Sequence, residues 1–125
     1  MAAGFDAIFE ALKPALAGSA KRLAVKTDTG SEYTLVTKRA SPFPQHKGQP
    51  MFFGSVKVGK SYVSFHLMPL YMNLELTGRI SPELKKRMQG KSCFNFRNDP
   101  EPAIVDELKQ LTDTAAKQWA ERKWM

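Results

Sequence analysis

Apolar residues recur at helical spacing from the start of the chain. Phe5, Ile8, Phe9, Leu12 and Leu16 form one stripe, with Asp6, Glu10 and Lys13 on the wet side. Pro14 is expected to kink or restart this helix and Gly18 to end it. The period then changes to two. Residues 22 to 27 and 32 to 38 are rich in β-branched and aromatic side chains, and Asp28-Thr29-Gly30-Ser31 between them predicts a hairpin. The stretch from Ala40 to Pro50, ASPFPQHKGQP, holds three prolines and a glycine and predicts a loop long enough to carry a role.

Alternation resumes at Met51, with Phe52, Gly54, Val56 and Val58 expected on one side and Phe53, Ser55 and Lys57 on the other. Gly59-Lys60 fits a two-residue turn, Ser61 to Met68 returns as a strand, and Pro69 ends it for want of an amide hydrogen. After the connection LYMNLELTGRI, Ser81-Pro82-Glu83 supplies a cap, a first-turn proline and a first-turn acid for a basic helix running to Gly90. Ser92 to Phe96 alternates again. Asp99-Pro100-Glu101 opens the longest helix, striped by Ile104, Leu108, Leu111, Ala115 and Trp119. The expected fold is therefore α+β, a mainly antiparallel five-stranded sheet with three helices in the order α-β-β-β-β-α-β-α.

With 125 residues, 42% of them hydrophobic, one core and a single domain over 1–125 are expected. One cysteine excludes a disulfide scaffold, and no apolar run approaches the ~20 residues of a membrane helix, so the expected location is the cytoplasm. A monomer fits, as does a homodimer that covers a sheet edge.

The net charge is +7 and unevenly placed. Residues 33 to 97 hold eleven lysines and arginines against Glu75 and Glu83, an excess of nine, so this segment should attract anions if its lysines do more than face water. Arg79, Lys85, Lys86, Arg87 and Lys91 cluster around the basic helix. Nucleic-acid binding would want stacking aromatics interleaved with them, and Phe94 and Phe96 fit a buried face better, so nucleic acid is not the favoured partner. No phosphate-loop, dinucleotide, zinc-protease or serine-hydrolase motif occurs. His46, His66 and Cys93 are the soft metal-ligand types and stand far apart in sequence.

Candidate chemistry concentrates in the strand SYVSFHLM. Val63, Phe65 and Leu67 form an apolar face, which puts Tyr62, Ser64 and His66 on the opposite face beside Ser55 and Lys57. Hydroxyls, an imidazole and an amine on one face suit a small polar or anionic ligand, with Tyr71 at its rim; the same pattern also fits a plain solvated sheet face. If the protein were an enzyme, His66 would be the general base and Tyr62 or Lys57 would polarise the substrate.

The stretches GKSYVSFHLMP at 59 to 69 and SPELKKRMQGKSCFNF at 81 to 96 resemble the YdhG-like family, with similarity running from about Arg22 to Trp119. The family is a small bacterial domain of unknown function that includes a frataxin-like iron chaperone. The resemblance implies helices packed on an antiparallel sheet, no agreed catalytic residues, and for some relatives iron delivery. Iron would call for surface carboxylates. Asp6 and Glu10, one turn apart on the first helix, are the candidate metal ligands, and Asp106, Glu107 and Asp113 add to them on the last. The expected function is a non-enzymatic binding or accessory module that uses Lys57, Tyr62, Ser64, His66, Tyr71 and the 40–50 loop, with a frataxin-like iron chaperone as the alternative.

Overall fold

The structure, a computed structural model, describes residues 2–40, 47–72, 74–90, 93–98 and 100–123. Residues 41–46 of the proline-rich loop, His46 among them, together with Lys91 and Asp99, lie outside the described residues.

Six strands form one antiparallel sheet in the order β1-β2-β3-β4-β6-β5, where β1 is Leu23–Asp28, β2 Glu32–Ala40, β3 Pro50–Val58, β4 Val63–Leu67, β5 Met88–Gln89 and β6 Cys93–Phe96. Five helices accompany it: α1 Ala2–Ala17, α2 Met68–Met72, α3 Leu74–Thr77, α4 Pro82–Lys85 and α5 Pro102–Glu121. The α+β class and the antiparallel pairing agree with the sequence pattern. The count of five strands and three helices does not.

The extra elements have local causes. The strand expected over 61–68 is β4, Val63–Leu67; it ends at Leu67, before Pro69, which sits in the first turn of α2, where no amide hydrogen is required. The basic helix stops at Lys85 instead of reaching Gly90, because Leu84 is its one buried side chain and a four-residue helix has little to propagate it. The chain then pairs with β6: Met88 lies opposite Phe94, Gln89 opposite Cys93, and the Asn95 amide donates to the Arg87 carbonyl at 2.8 Å. Gly90, at φ 76°, turns the strand back, a conformation side chains rarely adopt.

Within the sheet, β3 departs from simple alternation. Leu35 pairs with Gly54 and Val36 with Phe52, so two steps on β3 answer one on β2, a bulge at Phe53. Phe53 and Gly54 therefore both face the helices: the Phe53 ring meets Trp119 of α5 edge-on at 5.3 Å, and a side chain on Gly54 would strike Leu16 of α1. Phe52 is left on the opposite face. This corrects the expectation that Phe52 and Gly54 share a side. The β3–β4 turn is centred on Lys60 and Ser61, closed by the Gly59 amide donating to the Tyr62 carbonyl at 2.9 Å, rather than on Gly59 and Lys60.

One buried cluster joins the helix-facing strand residues, among them Leu35, Val56, Val63, Phe65, Leu67 and Phe94, to Phe9, Leu12 and Leu16 of α1 and Leu108, Ala115 and Trp119 of α5. Helix α1 continues through Pro14 and ends before Gly18, whose amide donates to the Pro14 carbonyl at 3.1 Å. A polar tie fixes α4 to α5. The Glu107 carboxylate accepts from the Ser81 amide at 2.8 Å and the Ser81 hydroxyl at 2.6 Å, while that hydroxyl accepts from the Leu84 amide and so caps α4. No described helix is long and apolar enough to cross a membrane.

Candidate functional site

Strand parity through β4 places Val63, Phe65 and Leu67 in the core and leaves Ser64 and His66 half-buried on the other face. Antiparallel pairing extends that face sideways. Thr27 lies opposite Thr34, Thr34 opposite Ser55, Ser55 opposite His66, His66 opposite Cys93 and Cys93 opposite Gln89, one row across all six strands. A second row runs Glu32, Lys57, Ser64, Asn95. Neighbouring strands lie ~4.8 Å apart, so the first row is about 24 Å long.

Within this face, Phe52 and His66 meet edge to face with ring centroids 5.2 Å apart. Burial pushes the His66 imidazole below its usual pKa, so it is uncharged at neutral pH and carries one ring N–H and one unprotonated ring nitrogen. Burial pushes the Cys93 thiol up, keeping it protonated, and its Sγ donates to Asn95 Oδ1 at 3.6 Å. The Thr34 hydroxyl donates to Glu32 Oε2 at 2.9 Å, and Glu32 Oε1 stands 3.8 Å from Lys57 Nζ. The one cation in the second row thus has a carboxylate beside it. The face is polar without carrying the positive charge of the surrounding sequence.

Of the sequence-derived ligand residues, Lys57, Ser64 and His66 come together, with Lys57 directly opposite Ser64. Tyr62 belongs to the β3–β4 turn, just before β4. Tyr71, 60% exposed on α2, follows the other end of that strand. Eight residues, the five of β4 and then Met68 to Leu70 of α2, lie between the two tyrosines along the chain. Asp6 and Glu10 are both exposed on α1, and among the described residues no three His, Cys, Asp or Glu side chains gather to hold a metal ion.

Sequence reasoning paired Ser55 and Lys57 with His66 but left out Thr34, Cys93, Asn95 and Phe52. The adjacency of Cys93 and Asn95 was not readable, since β6 reaches β4 only after three helices and β5 intervene, and that of Thr34 and Phe52 depends on the register of β2 on β3 and the bulge at Phe53. Cavities of about 300, 260 and 190 Å³ lined by described residues lie among the helices, the largest between the end of α1 and the middle of α5. No protein-family model, curated protein or solved structure matches the chain.

Proposed function

We propose that this chain is a non-enzymatic binding module of the YdhG-like type whose ligand lies across the open sheet face, and that the ligand is a small, uncharged, polar molecule rather than an anion. The row Thr34, Ser55, His66, Cys93 carries this reading. Ser55, His66 and Cys93 bring a hydroxyl, a neutral imidazole and a thiol together at strand spacing, with buried Thr34 beneath the end of the row and the Phe52 ring as an apolar step beside it. Each group can donate or accept, and the one flanking charge is matched by Glu32, which favours hydrogen bonding over ion pairing. A protonated thiol and a serine register-paired with Lys57 and Asn95 supply no activated nucleophile, which favours binding over covalent catalysis.

The test is a two-dimensional amide NMR titration of the full chain with neutral probes, a monosaccharide panel and a nucleoside panel. Shifts should concentrate at Thr34, Ser55, Ser64, His66 and Asn95, and His66→Ala should weaken binding by about tenfold, the effect of one lost polar contact. Shifts scattered over the helices, or the same affinity in His66→Ala, would overturn the assignment.

A further inference from the structure

A cluster of lysines in no ion pair among the described residues lies on the helical side, mostly in segments that are neutral or acidic when read along the sequence. Helix α1 ends at Ala17, and the chain turns through Gly18 and Ser19 against the middle of α5. A cavity of about 300 Å³ opens there, lined by Gly18, Ser19, Lys21, Asp113, Ala116 and Lys117. Lys109, one turn before Asp113, runs alongside Gly18, with its Cε 3.9 Å from the position a Cβ would take there. Lys38 reaches in from β2, its Nζ donating to the Lys21 carbonyl at 3.2 Å.

Two lysines and one carboxylate line the cleft, Lys109 runs beside it at Gly18 and Lys38 is bonded to the Lys21 carbonyl, so cations outnumber the carboxylate. Among the described residues Lys21, Lys109 and Lys117 are in no ion pair. The C-terminal dipole of α1 amounts to about half a negative charge and α1 has no basic residue in its own last turn, so it balances only a fraction of this excess. The carboxylate is held in place. Ser19, 6% exposed, donates its hydroxyl to Asp113 Oδ1 at 3.2 Å, which leaves the remaining lone pairs of Asp113 available to a ligand.

We infer that this cleft binds a phosphate monoester that also carries a hydroxyl. The phosphate sits among Lys21, Lys109 and Lys117, and the ligand hydroxyl donates to Asp113. A plain anion would satisfy the lysines and be repelled by Asp113; a neutral sugar would use Asp113 and ignore the lysines. Only a molecule with both groups uses the whole set, and the volume lies at the small end of ligand sites. The site is separate from the sheet face.

Isothermal titration of the full chain with ribose 5-phosphate, inorganic phosphate, ribose and adenosine 5′-monophosphate tests this. Ribose 5-phosphate should bind about tenfold tighter than inorganic phosphate, and ribose alone should not compete with either, whatever it does at the sheet face. The double variant Lys109→Met/Lys117→Met should lose at least about tenfold in affinity for both phosphates while melting as the parent does, since both side chains are exposed. Asp113→Asn removes the repulsion of a plain anion, so it should raise the affinity for inorganic phosphate and shrink the tenfold preference for ribose 5-phosphate. Adenosine monophosphate binding tighter than ribose 5-phosphate assigns a nucleotide source, and equal or weaker binding assigns a sugar phosphate. No saturation by ribose 5-phosphate up to about 10 mM, or unchanged affinity in the double lysine variant, overturns the inference.

Discussion

Replacing Gly54 with alanine probes the bulge that sorts the two faces of β3. The added Cβ would lie 2.8 Å from the His66 carbonyl oxygen, 3.0 Å from Leu16 Cδ1 and 3.4 Å from Leu67 Cδ1. The leucine methyls can rotate aside, but the carbonyl belongs to β4, and moving it disturbs the pairing of Gly54 with Leu67 and Ser55 with His66. Overpacking of this kind costs about 1–3 kcal/mol, and a backbone neighbour puts Gly54→Ala toward the upper end. Loss of unfolded-state freedom returns about 0.4–1 kcal/mol, leaving a net destabilisation of about 2 kcal/mol. For 125 residues, an unfolding entropy of ~2.1 cal/mol/K per residue gives ~0.26 kcal/mol/K, so the melting temperature should fall by about 8 °C. Circular-dichroism melting, backed by urea unfolding, measures it. Gly30→Ala is the control: nothing lies within 4 Å of its Cβ, so it should stay within about 0.5 kcal/mol of the parent. A Gly54→Ala protein melting within about 2 °C of the parent would refute the close packing of β3 on β4 and α1.

Glu107→Ala removes both acceptors of the Ser81 cap and should destabilise by about 2 kcal/mol in urea, with Glu107→Gln in between; equal stability of all three proteins would mean the carboxylate does not hold α4 to α5. Because burial holds the His66 pKa below 6.5, the unfolded chain takes up its proton first as pH falls. The His66 contribution to stability should thus be flat above pH 6.5 and decline as pH drops from there through the native pKa, and His66→Asn should remove that part of the slope. An identical slope in the variant would place the titration elsewhere.

Most of the framework was readable because it rests on local period. The α1 stripe, the first hairpin, the alternation in β4 and β6 and the α5 stripe each repeat over enough residues to decide between helix and strand. Three things were not. The bulge at Phe53 breaks the period by one residue, and two adjacent phenylalanines give no sign of which one turns inward. Met88–Gln89 is too short to show a period at all and exists because Phe94 and Cys93 lie opposite it. The short helices after Leu67 lack a stripe, and their form follows from Pro69 and the core they cover.

The candidate surface divides along the same line. Ser64 and His66 followed from parity, while Thr34 and Cys93 joined them only through cross-strand register. On the sheet Lys57 faces Glu32, and a cluster of lysines in no ion pair among the described residues is assembled from the turn after α1 and α5, with Lys38 of β2 bonded to the Lys21 carbonyl beside it. Lys109, Asp113 and Lys117 at four-residue spacing were the available signal for it.

The two rims of the sheet are unequal. β5 offers two residues of backbone, too few for an incoming strand to gain a foothold, whereas β1 offers six, with Val25 49% exposed and a register irregularity at Lys26. Lateral growth of this sheet is therefore one-sided, and the kink and cation at Lys26 are what stand between β1 and an added strand.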